Sequence, residues 1–129
     1  MGAEISCCPC GSQEQYSECC GRYLEKQASA PSAVALMRSR YTAYTLGRED
    51  YLLATWHQST RPASLGLARE SHSKWLGLTV KYHEQVSPGR ATVEFVARYK
   101  VGGRAHRLHE MSRFIYEAGQ WFYIDGDIC

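Results

Sequence analysis

Long apolar runs are missing from this 129-residue chain. The longest uncharged stretch, residues 27–37, is interrupted by Ser29, Pro31 and Ser32. It falls well short of the roughly 20 apolar residues a membrane-crossing helix needs. Residues 1–9 hold Glu4 and no apolar core, so no cleavable leader is expected and the chain reads as cytoplasmic. Internal repeats and low-complexity tracts are absent as well, and only four prolines occur, which argues against a linker-rich or repeat architecture. Charge of one sign is scarce. The formal net charge of +2 is too small to imply nucleic acid by itself. With 44% hydrophobic and 22% charged residues, what is there is a globular protein of one domain and a small appendage. Cysteine is the exception to this ordinary composition: of six, five lie between Cys7 and Cys20.

Cys8, Cys10, Cys19 and Cys20 form a C-x-C-x8-C-C pattern, with Cys7 just ahead of it. Two cysteine pairs on either side of a short loop can supply the four thiolates of a tetrahedral zinc site. Pro9 stiffens the first pair, Gly11-Ser12 offers a turn whose amides can reach the sulfurs, and Tyr16 can cover the site. Iron can occupy the same ligand set. A disulfide framework and a redox dithiol are the other readings. The first fits poorly, because the rest of the chain carries only Cys129 and shows no sign of secretion. Zinc is the expected cofactor, one per chain and structural, since four protein ligands leave no position for water or substrate. Cys7 and Cys129 are left as spare thiols.

Cys8-Pro9-Cys10-Gly11-Ser12, Tyr16 and Cys19-Cys20-Gly21 resemble the SEC-C zinc motif, which also ends the tail of the bacterial preprotein-translocase ATPase and there binds a chaperone and ribosomes. The remainder resembles the YchJ family of small bacterial proteins. The matching stretches are residues 35–44, Thr55-Trp56-His57 with Ser59-Thr60-Arg61-Pro62, residues 109–114, and Gly119 to Gly126. The resemblance implies an α+β fold: a small SEC-C-like zinc knuckle over residues 1–28, then a cone-shaped domain similar to nuclear transport factor 2 over residues 32–129. It implies no particular reaction. Where the motif usually continues with glycine and basic residues, this chain has Gln13-Glu14-Gln15, so the positive surface that would meet an acidic chaperone is missing.

Read from the residues alone, the main segment gives the same class. Gln27 to Ser32 is a plausible hinge. Val34, Met37, Tyr41 and Tyr44 recur at helical spacing, with Pro31 in the first turn and Gly47 at the end. Glu49 and Asp50 open a second helix carrying Tyr51, Leu52, Thr55 and Trp56, ended by Pro62. Residues 63–75 read as irregular, with room for one short helix or turn. From Leu76 the period becomes two. Leu78, Val80 and Tyr82 share one face of a first strand, and Val93, Phe95, Ala97 and Tyr99 one face of a second. A third strand runs from Ala105 to Tyr116, and in a fourth Trp121, Tyr123 and Asp125 share a face. Turns are expected at Ser87-Pro88-Gly89, Gly102-Gly103 and Glu117-Ala118-Gly119. Two helices before four antiparallel strands place the helices on one face of a curved sheet.

Charge is unevenly spread. Residues 1–31 carry two basic and four acidic side chains, hence −2, and residues 81–113 carry seven and three, hence +4. Electrostatic docking of the knuckle on the main segment is possible on these grounds. Arg98, Lys100, Arg104 and Arg107 could instead meet nucleic acid, but alternating charge on strands is usually a solvated face, so nucleic acid is not the expected partner.

Trp56, His57, Arg61, Trp75, Glu110 and Trp121 are the candidate pocket residues. In the third strand, alternation puts His106, Leu108, Glu110, Ser112 and Phe114 on one face. Folds of the implied type enclose a cavity between helix and sheet, where Glu110 could act as a general base with His57 as partner. The bland alternatives are that the tryptophans are packing residues, that Glu110 pairs with Arg61 or Arg113, and that Asp125 shapes the terminal turn. No catalytic residue is assigned. The favoured function is a non-catalytic module that binds a protein partner through the knuckle or a small molecule in the cone cavity. The alternative is a small isomerase or hydrolase with Glu110 or His57 in proton transfer.

Overall fold

The computed structural model describes residues 7–67 and 73–129. A 3₁₀ turn, Tyr16–Glu18, and a single helical turn, α1 (Gly21–Leu24), complete the cysteine-rich segment. Gly21 is required there by packing: a Cβ at this position would lie 2.6 Å from the carbonyl oxygen of Tyr16. The long helix α2 (Ala33–Leu46) and the short α3 (Glu49–Ala54) follow. Four strands then form an antiparallel meander in the order β1 (Ser73–Ser87), β2 (Arg90–Val101), β3 (Arg104–Glu117), β4 (Gln120–Ile128). This is the α+β arrangement expected from the sequence.

Helix α2 begins at Ser32, whose hydroxyl accepts the amide of Ala35 at 3.1 Å, and ends where Gly47 turns left-handed at φ 71°. Pro31 therefore precedes the cap rather than entering the first turn. Expected to bury one face, α2 is buried almost all round: Ala33, Leu36, Met37, Ser39, Arg40, Tyr41, Thr42 and Ala43 are all buried. Its polar groups are paired accordingly. Ser39 donates to the Leu36 carbonyl and shares a hydrogen bond with Tyr51 Oη, both at 2.7 Å. Burial pushes the Tyr51 hydroxyl up to about 12.

Helix α3 stops at Ala54, well before Pro62, because the chain leaves it to join the sheet. The amide of His57 donates to Tyr123 O at 2.8 Å and the amide of Tyr123 to Thr55 O at 2.9 Å, a short parallel bridge at the edge of β4. The irregular residues 61–67 are tied back by Glu49, whose carboxylate accepts the amides of Leu65 and Leu67 and is thereby held below its ordinary range. The rest of the stretch expected to be irregular falls partly outside the described residues, and its last part is strand: β1 takes in Trp75.

The concave face of the sheet carries Val93, Phe95, Ala97, Leu108, Glu110, Ser112 and Phe114, as the register Val93↔Ser112, Phe95↔Glu110, Ala97↔Leu108 requires. The Gly102-Gly103 and Ala118-Gly119 turns have φ > 0 at both positions, as two-residue hairpins demand. Two faces differ from simple alternation, each because of an irregularity. Pairing passes from Val80↔Phe95 directly to Tyr82↔Glu94, so Tyr82 leaves the core face and is 52% exposed. Pairing likewise passes from Arg113↔Asp125 to Phe114↔Tyr123, which turns Asp125 to the outer face. Asp125 there accepts from Arg113 Nε at 2.6 Å, beside Asp127 at 2.8 Å from Arg113 Nη1. Arg113 is thus committed on the face opposite Glu110, and Arg61 donates instead to the Trp56 carbonyl. Neither arginine pairs with Glu110.

The bulge gives a direct stability test. Leu52→Ala, at a fully buried position, is expected to cost about 2–5 kcal/mol in urea unfolding. Tyr82→Ala, on the face that alternation would bury, should stay within about 0.5 kcal/mol.

Candidate metal centre and cavity

Cys8, Cys10, Cys19 and Cys20 are all buried, and their four sulfurs lie within 4.8 Å of one another. Local backbone geometry brings them there. The amide of Cys8 donates to Glu14 O at 2.7 Å and that of Gly11 to Cys8 O at 3.1 Å, closing the loop between the pairs. The Tyr16–Glu18 turn delivers Cys19, whose amide donates to Tyr16 O at 3.0 Å. Cys10 Sγ and Cys19 Sγ are 3.7 Å apart. That separation is far beyond a disulfide bond and close to the edge, about 3.8 Å, of a tetrahedron of sulfurs around zinc. The donor set therefore fits a four-thiolate metal ion. Ser12 Oγ, 3.1 Å from Cys19 Sγ, adds a polar contact at the rim. Sulfurs this close share protons: contacts from Cys20 and Cys8 pull the Cys10 thiol down, while contacts from Cys10 and Cys8, with burial, push Cys20 up. Cys7 stands at C-x-x-C spacing from Cys10 but is exposed and outside the cluster.

The cluster is fastened to α2. Thr42 Oγ1 lies 3.7 Å from Cys8 Sγ, and Arg38 Nη1 donates to the Cys10 carbonyl at 2.8 Å. All four cysteines belong to the same buried hydrophobic cluster as Leu36, Met37, Val93 and Phe114.

On the other side of α2 lies a cavity of about 250 Å³ between the helix and the concave sheet. Of the six residues nominated from sequence, Trp56, Trp75 and Glu110 line it. Trp75 is also a packing residue, in contact with Tyr41, Tyr44 and Tyr99 at centroid distances of 5.2–5.9 Å. The other three lie elsewhere. His57 follows the bridge to β4 and points away, its ring nitrogens 2.8 Å from Ser59 Oγ and 2.7 Å from Glu117 Oε1. Arg61 is exposed, and Trp121 packs against Tyr116 and lines the grooves around Leu24 and Ala33. Glu110 and His57 do not meet.

The cavity's most distinctive side chain was not nominated. Arg40 is 6% exposed and lines the cavity, its guanidinium against the rings of Trp56 and Tyr123 at 5.1 and 4.6 Å. Nη1 donates to Leu52 O at 2.8 Å and Thr55 Oγ1 at 2.7 Å. Burial draws Arg40 below its ordinary range, opposed by nearby Tyr44 and Tyr123. Glu110 faces it from β3, with Oε2 accepting from Ser112 Oγ at 2.8 Å and Tyr123 Oη at 3.3 Å. Burial first, and Glu110 second, raise the Tyr123 hydroxyl. Helical spacing held the signal for Arg40: it sits four residues before Tyr44, among Met37, Tyr41 and Tyr44.

On the outer sheet face, His109 Nε2 is 2.6 Å from Glu94 Oε2, and Cys129 Sγ lies within 4.8 Å of this pair. Among the described residues no helix is long and apolar enough to cross a membrane.

A family model for the middle, NTF2-like domain of YchJ matches residues 32–126. A UPF0225 protein of Cupriavidus metallidurans is 56% identical over 94% of this chain and 88% of its own length. Two solved structures, both of SEC-C motif containing proteins, are similar throughout. The one from Rhodopseudomonas palustris is 37% identical, covers 96% of this chain and 99% of its own, and has a TM-score of 0.87. The one from Psychrobacter arcticus is 26% identical, covers 100% of this chain and 86% of its own, and has a TM-score of 0.81.

Gly126 offers a test of the cavity wall. A Cβ there would collide with the Glu110 carboxylate and approach Met111 O at 3.0 Å. Gly126→Ala is expected to displace Glu110 from Ser112 and Tyr123, read as side-chain chemical-shift changes at both. Unchanged shifts would place the carboxylate elsewhere.

Proposed function

The chain belongs to the YchJ family, and from that premise we propose that it is a zinc-stabilised binding protein rather than a catalyst. One structural zinc per chain is held by Cys8, Cys10, Cys19 and Cys20, the cone cavity takes a small organic molecule, and the knuckle offers a protein partner its outer surface. The observation that carries this reading is the buried four-sulfur cluster attached to the helix that roofs the cavity. With four sulfurs as ligands the ion is closed to water and substrate, so its contribution is to hold the knuckle and α2 together. The thiolates it requires persist in a reducing compartment, which favours the cytoplasm.

A second reading, a small isomerase or hydrolase with Glu110 as proton-transfer group, draws on the placement of Glu110 in the cavity wall. The two readings part on Glu110→Gln: a binder loses affinity at that contact, whereas an enzyme loses turnover with affinity kept.

Native mass spectrometry of protein purified without chelator is expected to show one zinc per chain. Cys19→Ser should lose the metal and, because the cluster lies in the shared core, melt about 10 °C or more below the parent. Full zinc occupancy in Cys19→Ser would overturn the ligand assignment.

A further inference from the structure

The unused edge of Arg40 defines what the cavity accepts. The guanidinium packs against the rings of Trp56 and Tyr123, and its protein hydrogen bonds among the described residues all leave from Nη1. No sealed side-chain nitrogen or oxygen among the described residues lacks a partner, so Nε and Nη2 keep some exposure, and the cavity is the space that Arg40 lines. These two nitrogens form the edge of the guanidinium that grips a carboxylate with two parallel hydrogen bonds. Across the cavity, Glu110 uses Oε2 for Ser112 and Tyr123, leaving Oε1 as an acceptor without a partner among the described residues. Between the two ends the walls are aromatic and aliphatic: Tyr41, Tyr44, Trp75, Phe95 and Leu108.

We propose that the cavity binds a small planar monocarboxylate, its carboxylate on Arg40 Nε and Nη2 and a hydroxyl or amine at its far end donating to Glu110. This rests on the binding-protein reading above and specifies its ligand. Size permits it: an apolar cavity of about 150 Å³ admits benzene, and this one is about 250 Å³. Charge selects against a dianion. Arg40 and Glu110 are the cation and carboxylate of the cavity lining, so a phosphate monoester would bring excess negative charge with no second lining cation to meet it. A neutral ligand of the same shape leaves the arginine edge bare, and buried polar groups left unpaired are what give such sites their discrimination.

The test uses full-length protein whose zinc content is measured on the same sample. Binding of 4-hydroxybenzoate, 4-hydroxybenzamide and phenyl phosphate is followed by calorimetry and by quenching of tryptophan fluorescence, since Trp56 and Trp75 line the cavity. The expected result is at least tenfold tighter binding of 4-hydroxybenzoate than of the amide or the phosphate. Arg40→Lys should cut that preference to under threefold. Since Arg40 also braces α3, the proposal stands on a second variant as well: Ala97→Leu, at a buried position in the cavity wall, should abolish binding with a native circular dichroism spectrum. Equal affinity for the benzamide, tighter binding of the phosphate, survival of binding in Ala97→Leu, or no binding of the benzoate at millimolar concentration would each overturn it. Failure with one zinc per chain present sinks the ligand class alone. Carboxylate preference in a zinc-free preparation upholds the ligand class and sinks the metal reading.

Discussion

Helix α2 is buried almost all round, and its sequence is not apolar enough for that to happen unaided. Ser39, Arg40 and Thr42 stand in the middle of it, and leaving such groups unpaired in an interior costs about 1–3 kcal/mol each, more for the charge. The fold meets this by giving each side of the helix its own polar partner. Tyr51 of α3 takes Ser39, the Leu52 carbonyl and Thr55 take Arg40, and a cysteine sulfur takes Thr42. Sheet, α3 and knuckle are therefore bound to one another through the helix they share. The sheet touches the knuckle directly near Gly11, where an added Cβ would approach the Leu78 carbonyl at 3.6 Å.

This constraint decides between two accounts of how the cysteine-rich segment is held. Opposite charge on the knuckle and the strands makes electrostatic docking plausible, and there is an ion pair between Glu25 and Arg48, with Tyr16 Oη donating to Glu25 at 2.7 Å. Those groups are half exposed, where a pair is worth at most about 1 kcal/mol and is screened by salt. Against this stand four cysteines, Tyr23 and Leu24 buried in the same cluster as α2 and the sheet. Burial of one large apolar side chain contributes about 1.5–3 kcal/mol, so packing outweighs the ion pair several-fold. The seam between knuckle and cone is a piece of core, and the charge pattern decorates it.

Much of this architecture was legible in the sequence, and the failures have a common form. Cysteine spacing identified the cluster because few arrangements of a C-x-C and a C-C pair bring four sulfurs together. Gly47, Gly102-Gly103 and Gly119 marked ends and turns because their left-handed backbone angles favour glycine. A strict period of two has no way to count an inserted residue, so Lys81 and Ile124 reversed the faces of Tyr82 and Asp125. His57 failed similarly. The chain was read as helix through Trp56, whereas a one-residue bridge to β4 sends Trp56 inward and His57 out. Arg40 was missed because a charge between Ser39 and Tyr41 reads as a solvated helix face, and only the partners on α3 and β4 make its burial tolerable.

Arg40 also explains why the helix is polar at all. An apolar residue there would pack α2 more simply, since replacing buried charge with hydrophobic volume is commonly neutral or stabilising. Retaining the guanidinium, packed against two rings and anchored at one nitrogen, makes sense where its remaining edge has work to do. The same helix carries Thr42 and Arg38 toward the cysteine cluster and Arg40, Tyr41 and Tyr44 toward the cavity. Residues four apart share a helix face and residues two apart do not, so Arg38 and Thr42 point together at the cysteine cluster while Arg40, between them, points to the cavity. In the proposed reading, metal–thiolate bonds that fix one side of the helix fix the other, and a cavity selective through a hydrogen-bonding edge needs that edge held to a fraction of an ångström. On the proposed reading the cysteine cluster and the cavity are one device: the first supplies, through α2, the rigidity the second requires.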